Sequence, residues 1–522
     1  MFDAVVARLT PMRICVVLIA GVFVLYWPTV YHGFIDVDDP GFITVNPLLQ
    51  NVSLATIIRS FSSITMLLYL PVTILTYQVD VLIAGLEPSF FHFTDLLLHA
   101  VNAALLTVIL LRLTRSNLAA LLCGLLFAVH PIQTEAVLWA SSRKDLLSAT
   151  FALLSLLSYV RYIQERENRH RLWSITFYGL GLLSKIAIFP LPLLFLILDA
   201  RDGNDTRTML REKLPYAVIA TVLLVVGVIA GNQFALALNP LEVLLLAVKS
   251  TTFLLWQMIW PLRLAFLHLQ REPITILDPL FTGCLVVFVG LWVTLAILLK
   301  KRIFLPALGL AMFLLLLLPT FAAAQKGGIV FFTSDKYAYL PFAGLLITVG
   351  VFVRWLEESW RSVLLPVTIL ILFLSGLLTL RTRSILPAWA NAESIEQSVL
   401  NVDPGNAVAL SNLGLLLEKQ DRWDDALANF QSAIKNDPLY AVPYFNAAAA
   451  LRHLGRESEA LTVYENLIPM LTEREVRGDR SLQKGLVWLV ARLRELGRPD
   501  LAEALKTKMG QVAPDVRFEN SL

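Results

Sequence analysis

Blocks of apolar residues recur from residue 14 to residue 380 with short polar links between them. Most are long enough to cross a hydrocarbon core, which takes about 20 residues per helix. They fall near 14–30, 94–112, 116–129, 144–160, 172–184, 186–198, 215–231, 278–298, 303–321, 338–353 and 362–380, and so predict eleven spans. The first block has no small-residue cleavage site and reads as a retained span rather than a secretory signal. The stretch 241–267 is apolar too, but Lys249, Pro261, Arg263 and His268 interrupt it, which predicts an interfacial or re-entrant element. Residues 172–199 are few for two crossings and predict a short hairpin around Lys185.

After residue 387 the pattern changes. DPGNAVALSNLGLLLEKQDRWDDALANFQSAIKN begins at 403, and DPLYAVPYFNAAAALRHLGRESEALTVYENLIPM begins at 437. Asp403-Pro404 returns as Asp437-Pro438, Asn412 as Asn446, Ala426 as Ala460 and Phe430 as Tyr464. A period of 34 residues is the signature of tetratricopeptide helix pairs. Residues 493–510 repeat the Gly-Arg pattern in degenerate form, and 388–400 supply a leading helix. The predicted fold is thus all-α: a polytopic membrane domain over 1–387 and a short repeat solenoid over 388–522.

Composition agrees. Hydrophobic residues make up 57% of the chain and charged residues 16%, more apolar surface than a water-soluble protein of this size hides. A formal net charge of +3 without a basic tract excludes a nucleic-acid partner. Three cysteines, all in apolar blocks, exclude a disulfide scaffold. Arg112 and Arg115, the arginines at 161–171, Arg201 to Lys213, Lys300 to Arg302, and Arg354 with Arg361 fall on one side under the eleven-span arrangement. Short basic loops face the cytoplasm, so the loop after the first span, the His130–Glu135 loop, the 322–337 loop and the repeats belong to the opposite, outer side.

Four polar clusters meet at that outer side. Asp36, Asp38 and Asp39 follow the first span, and such carboxylates hold a divalent cation, supply a general base, or simply hydrate a turn. His92, Asp95, His99 and Asn102 line one stripe of an apolar helix, suited to helix packing or, for His92, to a metal. Glu135 and the run Arg143-Lys144-Asp145 suit a lipid-phosphate clamp or interfacial snorkelling. Asp335, Lys336 and Tyr337 precede a later span, where the tyrosines also suit an aromatic belt. Lys185 stands at a turn with no acid beside it in sequence.

The segments DVDDPGFITVNPLL, YLPVTILTYQVD, GLEPSFFHFTDLLLHAVNAALL, HPIQTEAVLWASSRKDLLSA, LLSKIAIFPLPLLFLILD and SDKYAYLPFAGLL, in this order and followed by tetratricopeptide repeats, resemble the transmembrane-and-tetratricopeptide O-mannosyltransferases and their bacterial relatives, of the GT-C glycosyltransferase class. The resemblance implies a transferase that takes a sugar from a polyprenyl or dolichyl phosphate. It sets the acidic pair on Asp38 and Asp39, further site positions on Asn46, His92, His130 and Glu135, basic ones on Arg143, Lys144 and Lys185, and a last element on Asp335, Lys336 and Tyr337. The chain departs from the family pattern at Leu70, Gln133, Ile186 and Lys336. On this reading Asp39, assisted by Asp38, is the base, and the basic residues face phosphate. A divalent cation at Asp38, Asp39 and His92 is left open.

The expected partners are the lipid-linked sugar, membrane lipid, and an acceptor protein or peptide recruited by the repeats. The expected location is a bacterial inner membrane with the repeats in the periplasm, or the endoplasmic reticulum in a eukaryote. Two other functions fit the architecture: a non-catalytic membrane-anchored scaffold, and a transporter of lipid-linked sugar.

Overall fold

The computed structural model describes residues 10–231, 238–270, 273–323, 325–326, 329–471, 476 and 480–512. Among them, eight helices are long and apolar enough to cross a membrane: Pro11–Tyr31, Pro88–Thr114, Ala140–Glu165, Pro240–Ile259, Pro279–Lys300, Phe304–Phe321, Asp335–Ser359 and Arg361–Trp389. A ninth is added if Asn117–Val129 and Pro131–Leu138, bent by 52°, form one broken span. The protein is an integral membrane protein with a helical polytopic domain, followed by an α-helical repeat region.

The expected eleven spans are revised at three places. Residues 172–198 form helices of 17 and 12 residues, Asn168–Ser184 and Leu191–Asp202. At 1.5 Å per residue these rise about 26 and 18 Å, short of a hydrocarbon core of about 30 Å. The block 215–231 is helical, as the later part of Thr206–Gly231, and its expected crossing is neither among the eight nor overturned. The block 116–129 stops at the bend before Pro131. Conversely, Pro240–Ile259 is long and apolar enough to span, where an interfacial element was expected. Its one lysine is covered: Lys249 Nζ donates to Gln270 Oε1 at 2.7 Å and lies over the Phe332 and Phe281 rings.

The basic residues gather at one end of the bundle and pair across helix ends, Arg112 with Glu165 and Arg171 with Glu212 at 3.1 Å each, and Arg166 with Asp202. At the other end lie the connections that carry the acidic and lysine clusters. The loop after the first span is held by a tight turn over Pro40–Thr44 and by Asn46, whose side chain caps Pro47–Gln50. A small antiparallel sheet pairs His268–Leu269 with Ile329–Thr333, which pairs in turn with Gln325–Lys326. Between the Phe304–Leu317 and Tyr339–Ser359 helices, Gly309 and Gly344 allow the backbones to touch; a methyl group at Gly309 would strike the Gly344 carbonyl oxygen.

One hydrophobic core unites the bundle and continues through Leu386 and Trp389 into Ile395, Val399 and Ala409. A second begins at Leu417 and reaches Met509. In the repeats, Ala426 and Ala460, with Phe430 and Tyr464, are buried at matching places. Gly414 lies directly beneath the Phe430 ring. The turn between paired helices is left-handed at Asp421, Gly455 and Gly497, with φ of 58°, 73° and 71°. The recurrence of that turn marks Arg480–Glu495 and Pro499–Val512 as a third helix pair. Ala392–Val402 is the leading helix; its Ile395 and Val399 pack in the bundle's core, while Leu400 packs against Ala407, Leu410 and Ala433 of the repeats.

Candidate functional site

Asp39 is fully buried, and its carboxylate ties two connections together: Oδ2 accepts from the Ile35 N–H at 2.7 Å and Oδ1 from the Ser141 N–H at 3.0 Å. Burial pushes its carboxyl up to about 6, against the opposing effect of those N–H donors, while the charge of Asp38 adds to the rise. Asp38 lies at the end of the Asp36–Asp38 turn and retains slight exposure. It is within electrostatic reach of Lys144 and Lys336.

Three lysines converge there from distant parts of the chain. Lys144 Nζ donates to the Ser141 carbonyl and lies 4.2 Å from the Phe42 ring centroid. Lys185, at the break between Asn168–Ser184 and Ile186–Ile188, bonds Asp145 Oδ1 at 2.5 Å and lies over the Tyr337 ring. Lys336 Nζ lies 3.2 Å from Glu135 Oε1 and 4.0 Å from the centroid of Trp139. Glu135 also accepts from Ser334 Oγ at 2.7 Å and from the Lys336 N–H at 2.8 Å, which fixes the start of the Asp335–Ser359 segment against the Thr134–Leu138 helix. A cavity of about 30 Å³ opens among Asp145, Lys185, Lys336 and Tyr337, with Ile188, Leu316 and Leu340 on its apolar side. The site thus has charge at one wall and hydrocarbon at the other.

Arg143, expected at the phosphate, is elsewhere. It is completely buried, with Nε on Asp95 Oδ1 at 2.5 Å, Nη1 on Asp80, and Nη2 on the Phe91 carbonyl at 2.9 Å; its guanidinium lies 4.6 Å from the Tyr77 ring centroid. Every nitrogen is engaged, so this residue locks helices and is not free to clamp a ligand. Its partner Asp80 was not singled out from the sequence, although an acid in the apolar Pro71–Ala84 helix is the signal that could have found it. Lys185, which has no acid beside it in sequence, meets one in space, Asp145.

Asp335 turns away from the lysines and accepts from the Ala265 N–H at 2.7 Å and His268 Nε2 at 2.9 Å. His92 Nε2 faces the Gly33 carbonyl at 3.3 Å. His130 holds Met258 O and the Ile132 N–H, and His99 and Asn102 share the Tyr339 hydroxyl. The stripe on Pro88–Thr114 therefore joins helices. Among the described residues, no group of three or more His, Cys, Asp and Glu side chains is placed to hold a metal ion, so Asp38, Asp39 and His92 do not assemble as one.

Residues 56–230 match the family model described as dolichyl-phosphate-mannose-protein mannosyltransferase, and residues 387–483 match that of the bacterial transcriptional activator domain. Protein O-mannosyl-transferase TMTC3 of Mus musculus is 25% identical over 87% of this chain and 55% of its own length. The Homo sapiens TMTC3 is 26% identical over the same shares. A solved structure, ArnT from Cupriavidus metallidurans bound to undecaprenyl phosphate, aligns at 15% identity over 88% of this chain and 81% of that one, with a TM-score of 0.40. The chain spans about half the length of the TMTC3 relatives. The kinship expected from the ordered sequence motifs is found: this membrane protein is related to the protein O-mannosyl-transferases.

Proposed function

We propose that the protein is a GT-C-type glycosyltransferase that moves a sugar from a polyprenyl or dolichyl phosphate to a hydroxyl group of a protein acceptor. The observation that carries this reading is the convergence of Lys144, Lys185 and Lys336 with Asp38, Glu135 and Asp145 beside an apolar-walled cavity. The reaction takes place at the periplasmic or lumenal face, where residues 388–522 also lie. The sugar is already activated by its phosphate leaving group. The protein therefore has two tasks: to take the acceptor hydroxyl proton as its oxygen bonds to the anomeric carbon, and to stabilise the charge on the phosphate as that bond breaks.

In this assignment the roles within the acidic pair are exchanged relative to the sequence expectation. Asp38, slightly exposed and near the lysines, is the base; Asp39, wholly inside and bound by two N–H groups, holds the loop. Lys185 and Lys336 face the phosphate across the cavity, Lys144 contributes charge from beneath, and Glu135 and Asp145 hold the lysines when no donor is present. Tyr337 packs on Lys185 and limits its reach.

The decisive test is transfer of labelled sugar from a polyprenyl-phosphate donor to a threonine-containing peptide by purified protein. Asp38→Asn is expected to lower turnover by about 10²–10⁴-fold, the usual contribution of a general base, with thermal stability unchanged. Turnover like that of the parent in D38N would overturn the base assignment. Absence of transfer by the parent from any lipid-phosphate donor would overturn the function.

A further inference from the structure

Between the Asp36–Asp38 turn and the start of the repeat region lies a second cavity, of about 190 Å³. Asp36, Glu396, Asn412, Glu418 and Lys419 supply its polar lining, and Leu415 and Leu416 its apolar part. Three carboxyl groups face one ammonium. That ammonium is already taken at the rim, where Lys419 Nζ bonds Asp36 Oδ2 at 2.7 Å. The unusual group is Glu396. It is 1% exposed, Asn412 Nδ2 donates to its Oε1 at 2.8 Å, its Oε2 has no hydrogen-bond partner among the described residues, and the residue lines the cavity. A buried carboxylate oxygen without a donor is costly, and beside a cavity a ligand can supply that donor.

The position of the cavity says which ligand has use of it. Asp36 is two residues from the proposed base Asp38, so the two lie within about 7 Å along the chain. A polypeptide advances about 3.3–3.6 Å per extended residue. An acceptor whose hydroxyl rests at Asp38 therefore brings side chains two to four positions away to the mouth of the cavity. We propose that this cleft binds a lysine or arginine side chain of the acceptor polypeptide, two to four residues from the hydroxyl that receives the sugar, with Glu396 as its counter-ion. The aliphatic stem lies along Leu415 and Leu416 while the charged head reaches Glu396. Burial pushes the Glu396 carboxyl up to about 8, which marks the same unmet need for a positive partner. The proposal deepens the transferase reading by giving it an acceptor preference, and it rests on that reading for the distance to Asp38.

The test uses full-length protein in detergent and two fluorescent dodecapeptides that have a single threonine and differ three residues away, lysine in one and norleucine in the other. Binding by fluorescence anisotropy requires no turnover. The lysine peptide is expected to bind about tenfold more tightly, the effect of one charge-assisted hydrogen bond. Glu396→Gln keeps the shape and the Asn412 contact, and should remove most of that preference while leaving binding of the norleucine peptide unchanged. Glu418→Gln should reduce it by a smaller factor. D38N should retain the preference although it loses transfer. Equal binding of the two peptides by the parent protein, or an intact preference in E396Q, would overturn the proposal. A parent protein that prefers lysine but transfers no sugar would refute the enzyme reading and leave the cleft standing.

Discussion

Two charged clusters lie side by side at one end of the bundle, and they solve the problem of buried charge in opposite ways. Around Arg143 the cation is planar and completely used: two carboxylates and a carbonyl take all its nitrogens, and aromatic rings cover its face. Around Lys185 and Lys336 each ammonium has three donors but a single acid partner, and both border a cavity. The first cluster is sealed: Arg143 and Asp95 are completely buried and line neither cavity. The second retains donors at the edge of open volume, which is what substrate recognition needs. Proximity in sequence conceals the difference, because Arg143 and Lys144 are neighbours that serve separate clusters.

Breaking the two clusters separately should produce two kinds of damage. Arg143→Met leaves Asp80 and Asp95 facing each other without their cation. Loss of one partner of a buried ion pair costs about 3–5 kcal/mol, so the variant should yield little folded protein, as read by size-exclusion in detergent and by thermal unfolding. Normal melting of R143M would dissolve the distinction. A milder case of the same kind lies at the opposite end of the bundle, where Lys213 bonds Asp199 and the Tyr159 hydroxyl, and Tyr159 bonds Asp199 at 2.7 Å. Lys213→Met keeps the Tyr159 contact, so about 1.5–3 kcal/mol of stability should be lost, with turnover per folded molecule unaffected. A selective fall in turnover would show that this cluster is more than structural.

The lysine cluster should respond in the other sense. Lys185→Met is expected to weaken binding of a polyprenyl-phosphate donor by about tenfold, equal to about 1.4 kcal/mol, with acceptor binding intact. A change of less than about twofold in donor affinity, measured by titration, would remove Lys185 from the phosphate side. A pH effect concerns Asp39. Its carboxyl rises from 3.8 to about 6 on folding, so between those values the folded state holds the proton that the unfolded state has lost. Stability should therefore decline as pH rises from about 4 to 6. Asp39→Asn should flatten that decline in a melting series, and an unaltered slope would show that the buried carboxyl titrates as it does in the unfolded chain.

What the sequence reveals of this molecule depends on the distance over which each feature is decided. Membrane character and the 34-residue period are local or periodic, and both were legible. Span number was less so: 172–198 is apolar enough for two helices but too short, and the Lys249 that argued against a span is covered by Gln270 and two phenylalanine rings from other segments. Partner choice was least legible. Asp80 is 63 residues from Arg143, and Asp145 is 40 from Lys185. Residue type gives the charge at such positions, whereas the fold alone decides which opposite charge meets it.

The continuation of the bundle's core into Ile395, Val399 and Ala409 has a consequence for the proposed transfer. A recruiting module on a flexible tether raises the local concentration of its cargo only to the extent that the tether permits, and much of that gain is lost to orientational freedom. Here the leading helix and the start of the next are anchored in the same packed interior as the transmembrane helices, so no tether intervenes. Whatever the first repeats hold is presented to the Asp36–Asp38 turn at a fixed angle and range, and the entropy of bringing acceptor and site together is largely met when the protein folds.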